Sequence, residues 1–176
     1  MKPVKLLTML CLFLGLTGFV KAQNTTADMV KEWERAKAYT KEYLDVMPDD
    51  KYNLKPTPES RSFADQMLHL ADANYGLTAV ATGDKSPFEL GALEKSADKT
   101  KAAVTKAVMD SYDFVINIIK KFPVEKYSEQ IKVFGKFDMS RGMALAKSFE
   151  HQTHHRGQTT VYIRLAGAKP PQEMLF

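Results

Sequence analysis

The residues best suited to chemistry lie close together near the C-terminus, in the run His151-Gln152-Thr153-His154-His155-Arg156-Gly157-Gln158. Three of the chain's four histidines fall in this run. On a helix, His151 and His155 are i and i+4, so their imidazoles sit one turn apart on one face. Two ring nitrogens at that spacing reach one metal ion without distorting the backbone. The fourth histidine, His69, is far away in sequence. A fold that brings it to the same point creates a three-histidine site with open coordination positions, the arrangement a catalytic metal uses. Taken alone, a single histidine in an apolar helix is more often a satisfied core or boundary residue than a ligand.

The surroundings of these histidines carry weaker signals. His154 lies about 60° around the helix from His151, so it too could be a ligand, but it reads more readily as an interface histidine or a support for the ligands. His151 with His155 is the better aligned pair. Asp65, Asp72 and Asn74 lie near His69 and could accept a ring N–H, or be plain solvated residues. Along the His151 face come Ala144, Lys147 or Ser148, His155, Gln158, Tyr162 and Leu165. Packing alone would place Leu or Phe at several of these positions. The neighbouring stripe carries Met143 and Val161. Arg156 reads as a surface or bundle-rim cation. Gly157 in a helix centre costs up to about 1 kcal/mol against Ala, so another helix or a ligand is expected to approach it closely. Gln158 reads as a ligand contact or an interface amide. No general base stands out; Glu150, Tyr162 and Tyr75 are candidates by position only.

Four helices must position these groups. The first is expected over about 28–47, with Val30, Trp33, Ala36, Thr40, Tyr43, Leu44 and Met47 at 3–4 spacing. The second is expected over about 58–82. Thr57 is its N-cap and Pro58 its first residue, with Phe63, Met67, Leu70, Ala71, Asn74, Leu77 and Thr78 facing inward. Ala64 and Leu68 widen that stripe. The third is expected over about 96–122, with the cleanest stripe, and ends at Pro123. The fourth is expected over about 140–166, capped by Asp138 or Ser140 and stopped by Gly167 and Pro170-Pro171. The segment 130–137 alternates but is too short and isolated to found a sheet. Four amphipathic helices of roughly 30–40 Å predict an all-α, four-helix bundle, which builds metal sites from side chains on facing helices.

The ends narrow the class further. Lys2 and Lys5, the apolar run Leu6–Val20 and the small Ala22 read as a secretory signal peptide over 1–22, cleaved before Gln23. The alternative is an uncleaved anchor. The remainder, 23–176, suits one domain. Losing Lys2, Lys5 and Lys21 leaves 25 − 3 = 22 Lys and Arg against 21 Asp and Glu, a nearly neutral chain. That excludes the clustered positive charge of a nucleic-acid footprint. Cleavage leaves no stable membrane anchor and removes Cys11, the single cysteine. The exported chain, periplasmic or extracellular, then has no disulfide, cysteine nucleophile or thiolate ligand.

The run His151-x-x-His154-His155-Arg156-Gly157-Gln158, followed by Val161-Tyr162-x-Arg164-Leu165-x-Gly167 and Pro170-Pro171, resembles the C-terminal signature of the DinB-like (DinB/YfiT-type) four-helix metalloproteins. Phe63-x-x-x-Met67-Leu68-His69-Leu70-Ala71 resembles that family's second-helix motif. The resemblance spans essentially the whole mature chain. It implies a left-handed bundle of down-up-up-down order, with a long crossover from Gly83 to Lys95 between helices two and three. It also implies a divalent metal, often nickel or zinc, on His69, His151 and His155, with water completing the shell, and a homodimer. Activities in the wider superfamily depend on cytosolic low-molecular-weight thiols, whereas this chain reads as exported. The resemblance therefore carries the metal site and leaves the substrate open.

Two function classes follow. One is a metal-dependent hydrolase or transferase acting on an unknown small-molecule substrate, with the ion as a Lewis acid. The other is a non-catalytic metal-binding or dimeric interaction module.

Overall fold

A computed structural model describes residues 26–176. The signal-peptide reading of 1–22 lies outside the described residues. Helix α1 spans Thr26–Val46, α2 Phe63–Thr82, α3 Lys101–Ile119 and α4 Arg141–Leu165. Strands β1 (Gln130–Val133) and β2 (Phe137–Ser140) precede α4, and two short 3-10 turns lie in the connections. Among the described residues no helix is long and apolar enough to cross a membrane.

Residue pairs set the bundle order. Lys37 meets Asp113 and Lys101 reaches the Asp45 carbonyl, so α1 and α3 are antiparallel. Asn74 meets Ser111 and Tyr75 packs on Phe114, so α2 and α3 are parallel. Gln66 meets His155 while Arg141 reaches the Ala81 carbonyl, so α2 and α4 are antiparallel. The order is down-up-up-down, as the resemblance implies. The two parallel helices are joined by the long connection 83–100.

The expected stripes form the core. Trp33, Leu44, Met47, Phe63, Met67, Leu70, Val104, Val108 and Ile119 are all essentially inaccessible. Trp33 sits edge-on to both Tyr112 and Phe149, tying α1 to α3 and α4. Such pairs add about 0.5–1.5 kcal/mol beyond the area they bury.

Element starts differ from the sequence expectation for identifiable reasons. Helix α1 is already formed at Thr26, two residues ahead of the expected start at 28. Helix α2 begins at Phe63 rather than Pro58. Ser62 is its cap: its Oγ accepts from the Asp65 N–H at 3.1 Å, and the Asp65 carboxylate accepts from the Ser62 N–H. This reciprocal box satisfies two donors at once, more than Thr57 could. Thr57 instead closes a turn, accepting from the Ser60 N–H through its carbonyl. Helix α3 begins at Lys101, where Thr100 accepts from the Ala103 N–H. The segment 130–137 does pair, with Gln130 opposite Ser140 and Val133 opposite Phe137. Phe134 and Gly135 both have positive φ, the backbone that tight hairpins use. Ser140 then caps α4 by accepting from the Met143 N–H.

Two residues of the histidine run lie elsewhere than expected. Arg156 is buried at 4% exposure, not at the rim. Its guanidinium lies 4.5 Å from the centre of the Tyr39 ring and donates to Gln152 Oε1 at 2.9 Å. Gly157 is exposed, and among the described residues nothing outside its own helix lies within 4 Å of where a Cβ would stand. The expected close approach is therefore not made by any of the described residues.

Candidate metal centre

Helices α2 and α4 run antiparallel in close contact, and His69 meets the His151–His155 pair at their crossing. Ring centres lie 5.2 Å apart for His69 and His151, 4.6 Å for His69 and His155, and 4.2 Å for His151 and His155. One ring nitrogen from each can be chosen so that all three lie within 4.8 Å of one another. The three sequence candidates are thus one cluster. His154 points away: it is exposed and touches the group only through a 5.0 Å ring contact with His155.

Burial and charge keep two of the three rings neutral. Burial pushes His151 down to about 4 and His155 down to about 3, and neighbouring imidazoles and Arg61 push the same way. Both rings are neutral at pH 7, with lone pairs available. Among the described residues the buried Nδ1 of His151 has no hydrogen-bond partner. An unsatisfied buried polar atom costs about 1–3 kcal/mol, and such an atom inside a histidine cluster fits a site built for an ion.

The other two rings are held. His69 Nδ1 lies 2.5 Å from Glu94 Oε1, in the connection between α2 and α3. His155 Nδ1 lies 2.8 Å from Gln66 Nε2, which also donates to Gln158 Oε1. In that sense the ring accepts through Nδ1. Ligation through Nε2 needs an Nδ1–H donor, which half-turns of both amides accommodate by presenting Gln66 Oε1 to the ring.

None of the expected supports of His69 supports it. Asp65 is engaged by Ser62 and Lys99. Asn74 donates to Ser111 at 3.0 Å. Asp72 is buried and accepts from the backbone N–H groups of Leu93 and Glu94 at 3.1 and 3.0 Å. Glu94 and Gln66 are the functional residues that sequence reasoning missed. Gln66 lies one turn before His69 on the α2 face, a signal that was available. Glu94 sits in an irregular segment with no periodicity to mark it.

The candidate bases also sort. Glu150 is exposed and paired with Lys147. Tyr75 packs on Phe88 and Phe114, and burial raises it to about 12. Tyr162 donates to the Arg61 carbonyl at 3.1 Å, at the edge of the centre.

A pH prediction follows from the two depressed histidines. Between about pH 6.5 and 4 the unfolded chain binds protons at these positions and the folded chain does not. Stability of the metal-free protein therefore falls as pH drops through that window. Urea midpoints at about pH 7, 6 and 5 should fall more steeply than in the His151→Leu, His155→Leu double variant, which cannot take up those two protons. Equal slopes would show that neither ring is held neutral.

The fold and site define a class: an antiparallel meeting of two helices in a down-up-up-down bundle, with three histidines at the crossing. Residues 22–174 match the DinB family, and the chain belongs to it. It is similar to the Bacillus subtilis (strain 168) protein YjoA, described as uncharacterised, at 26% identity over 131 residues, covering 73% of this chain and 82% of YjoA. Among solved structures, a DinB-like protein from Bacillus cereus ATCC 10987 superposes with a TM-score of 0.74 at 20% identity, covering 85% of this chain and 98% of that one. YfiT from B. subtilis, described as a probable metal-dependent hydrolase with an unusual four-helix bundle topology, superposes with a TM-score of 0.64 at 15% identity, covering 85% and 91%.

Proposed function

We propose that this protein is an exported metal-dependent enzyme that holds one divalent ion, nickel or zinc, on His69, His151 and His155. It acts as a hydrolase or transferase on a small-molecule substrate. The observation that carries this reading is the convergence of three imidazoles from two helices, two of them held neutral by burial. The description of YfiT as a probable hydrolase agrees with it. When bound, the ion supplies Lewis-acid activation of water or another small nucleophile. The three ligands are neutral, so they leave its charge undiminished. The side chains of His69 and Glu94 are 25% exposed, so the centre opens to solvent on the α2 side. The charged n-region and apolar run Leu6–Val20 support export.

The test is turnover of a broad panel of chromogenic esters and electrophiles by metal-loaded protein, lost on chelation. Stoichiometric metal without turnover overturns the catalytic part. It leaves an ion that ties α2 to α4, a reading the two-helix origin of the ligands favours.

A homodimer belongs to the proposal. Its support is the outer face of α4, where Met143, Val161 and Leu165 are 51%, 51% and 57% exposed around the uncovered Gly157. Light scattering is expected to show a dimer that Val161→Glu converts to monomer.

A further inference from the structure

We infer that Glu94 is a positioning residue for the His69 ligand, and that the crossover between α2 and α3 is through it a working part of the metal centre. This rests on the metal-binding reading above.

Five contacts carry the inference. Glu94 Oε1 lies 2.5 Å from His69 Nδ1. Arg61 Nε donates to the other carboxylate oxygen at 2.9 Å. Asp72, one turn after His69 on α2, accepts from the backbone N–H groups of Leu93 and Glu94. Tyr162 of α4 donates to the Arg61 carbonyl. The result is a closed circuit. Helix α2 presents His69 and Asp72 on one face, Asp72 grips the crossover, and the crossover returns a carboxylate to His69. Arg61, itself tied to α4, fixes that carboxylate from its far side.

The circuit selects a tautomer. A carboxylate can only accept, so its contact with Nδ1 requires the proton on Nδ1; in the neutral ring that a metal binds, this leaves the lone pair on Nε2. Arg61 makes the opposite demand: its guanidinium donates, and its terminal nitrogen lies 3.4 Å from the same Nδ1. The carboxylate contact is shorter by 0.9 Å, from 3.4 and 2.5 Å, and wins. A carboxylate oriented on the far nitrogen of a ligand histidine fixes the ring and raises its basicity.

Alternative roles for the same residues fit less well. A purely structural ion pair between Arg61 and Glu94 needs no second acceptor geometry toward His69. Nor does it account for a buried aspartate spending both oxygens on the two backbone amides that aim Glu94.

The test uses the mature chain with nitrogen-15-labelled histidine, in wild type, Glu94→Ala, Glu94→Gln and Asp72→Ala. Ring nitrogen shifts of the metal-free protein report the His69 tautomer, and competition with a chromophoric chelator reports zinc affinity. Wild type is expected to hold His69 as Nδ1–H. Glu94→Ala and Asp72→Ala are expected to lose that preference and to bind zinc about 10–100-fold more weakly. Glu94→Gln keeps an acceptor oxygen and loses less. A tautomer and an affinity both unchanged in Glu94→Ala overturn the inference, as does a changed tautomer with unchanged affinity. If wild type binds no zinc, the metal reading fails. The tautomer then decides separately whether Glu94 orients His69.

Discussion

His155→Ala is expected to abolish stoichiometric metal binding. Protein purified from Gln23 without a histidine tag should carry close to one ion per chain by mass spectrometry. His155→Ala and His69→Ala should each carry almost none. The loss in affinity should exceed the roughly 10–100-fold that removing a supporting hydrogen bond costs, because a ligand itself is gone. Two ligands on one helix turn remain in His69→Ala, so that variant tests the long-range half of the site. His154→Ala is the internal control. Its ring is exposed and touches only His155, so the metal should stay. Metal retained without His69 would reduce the centre to the i, i+4 pair.

The second large effect concerns stability. Tyr112 and Gln152 form the polar centre of the bundle, where Thr40 shares a hydrogen bond with Tyr112 at 2.7 Å and Tyr112 donates to Gln152 Oε1 at 2.8 Å. The same Gln152 oxygen accepts from buried Arg156. Gln152→Leu removes the carbonyl that accepts from the buried guanidinium and leaves it the Tyr39 ring and the Tyr112 hydroxyl. The expected cost is about 1.5–3 kcal/mol, the range for a lost hydrogen bond to a buried charged group. Arg156→Leu removes the charge itself, leaves Gln152 paired with Tyr112, and should cost clearly less. Urea denaturation of the two variants decides it. If Arg156→Leu is the more damaging, the arginine is a net stabiliser, and the order of costs runs against the desolvation argument. Because Arg156 follows His155 directly, this network also anchors the α4 backbone that carries two ligands.

Much of the site was legible before the fold. The i, i+4 spacing of His151 and His155 is a local geometric fact, and any helix through 151–155 puts both rings on one face. The apolar stripes were equally legible, since Trp33, Ala36, Thr40, Tyr43, Leu44 and Met47 recur at helical spacing and are all buried. Helix starts were less legible. Thr57-Pro58 and Ser62 are both acceptable caps, and the choice falls to Ser62 because Asp65 completes the box three residues on. A cap competes with its neighbours, so the outcome depends on which set of backbone groups is satisfied together. Arg156 was misplaced for a related reason. Charge alone argues for the surface, and only the presence of Tyr39 and Gln152 from other turns makes burial tolerable.

By itself the sequence determined the helices, their buried faces and the histidine pair on α4, because each depends on residues a few positions apart. Tertiary structure alone decided that His69 joins that pair, that Asp72 grips backbone instead of a ring, and that Glu94 returns from the crossover to His69. Those contacts link residues 21–86 positions apart. No periodic pattern records such separations; they exist only once α2 and α4 pack antiparallel and the chain between α2 and α3 folds back along them.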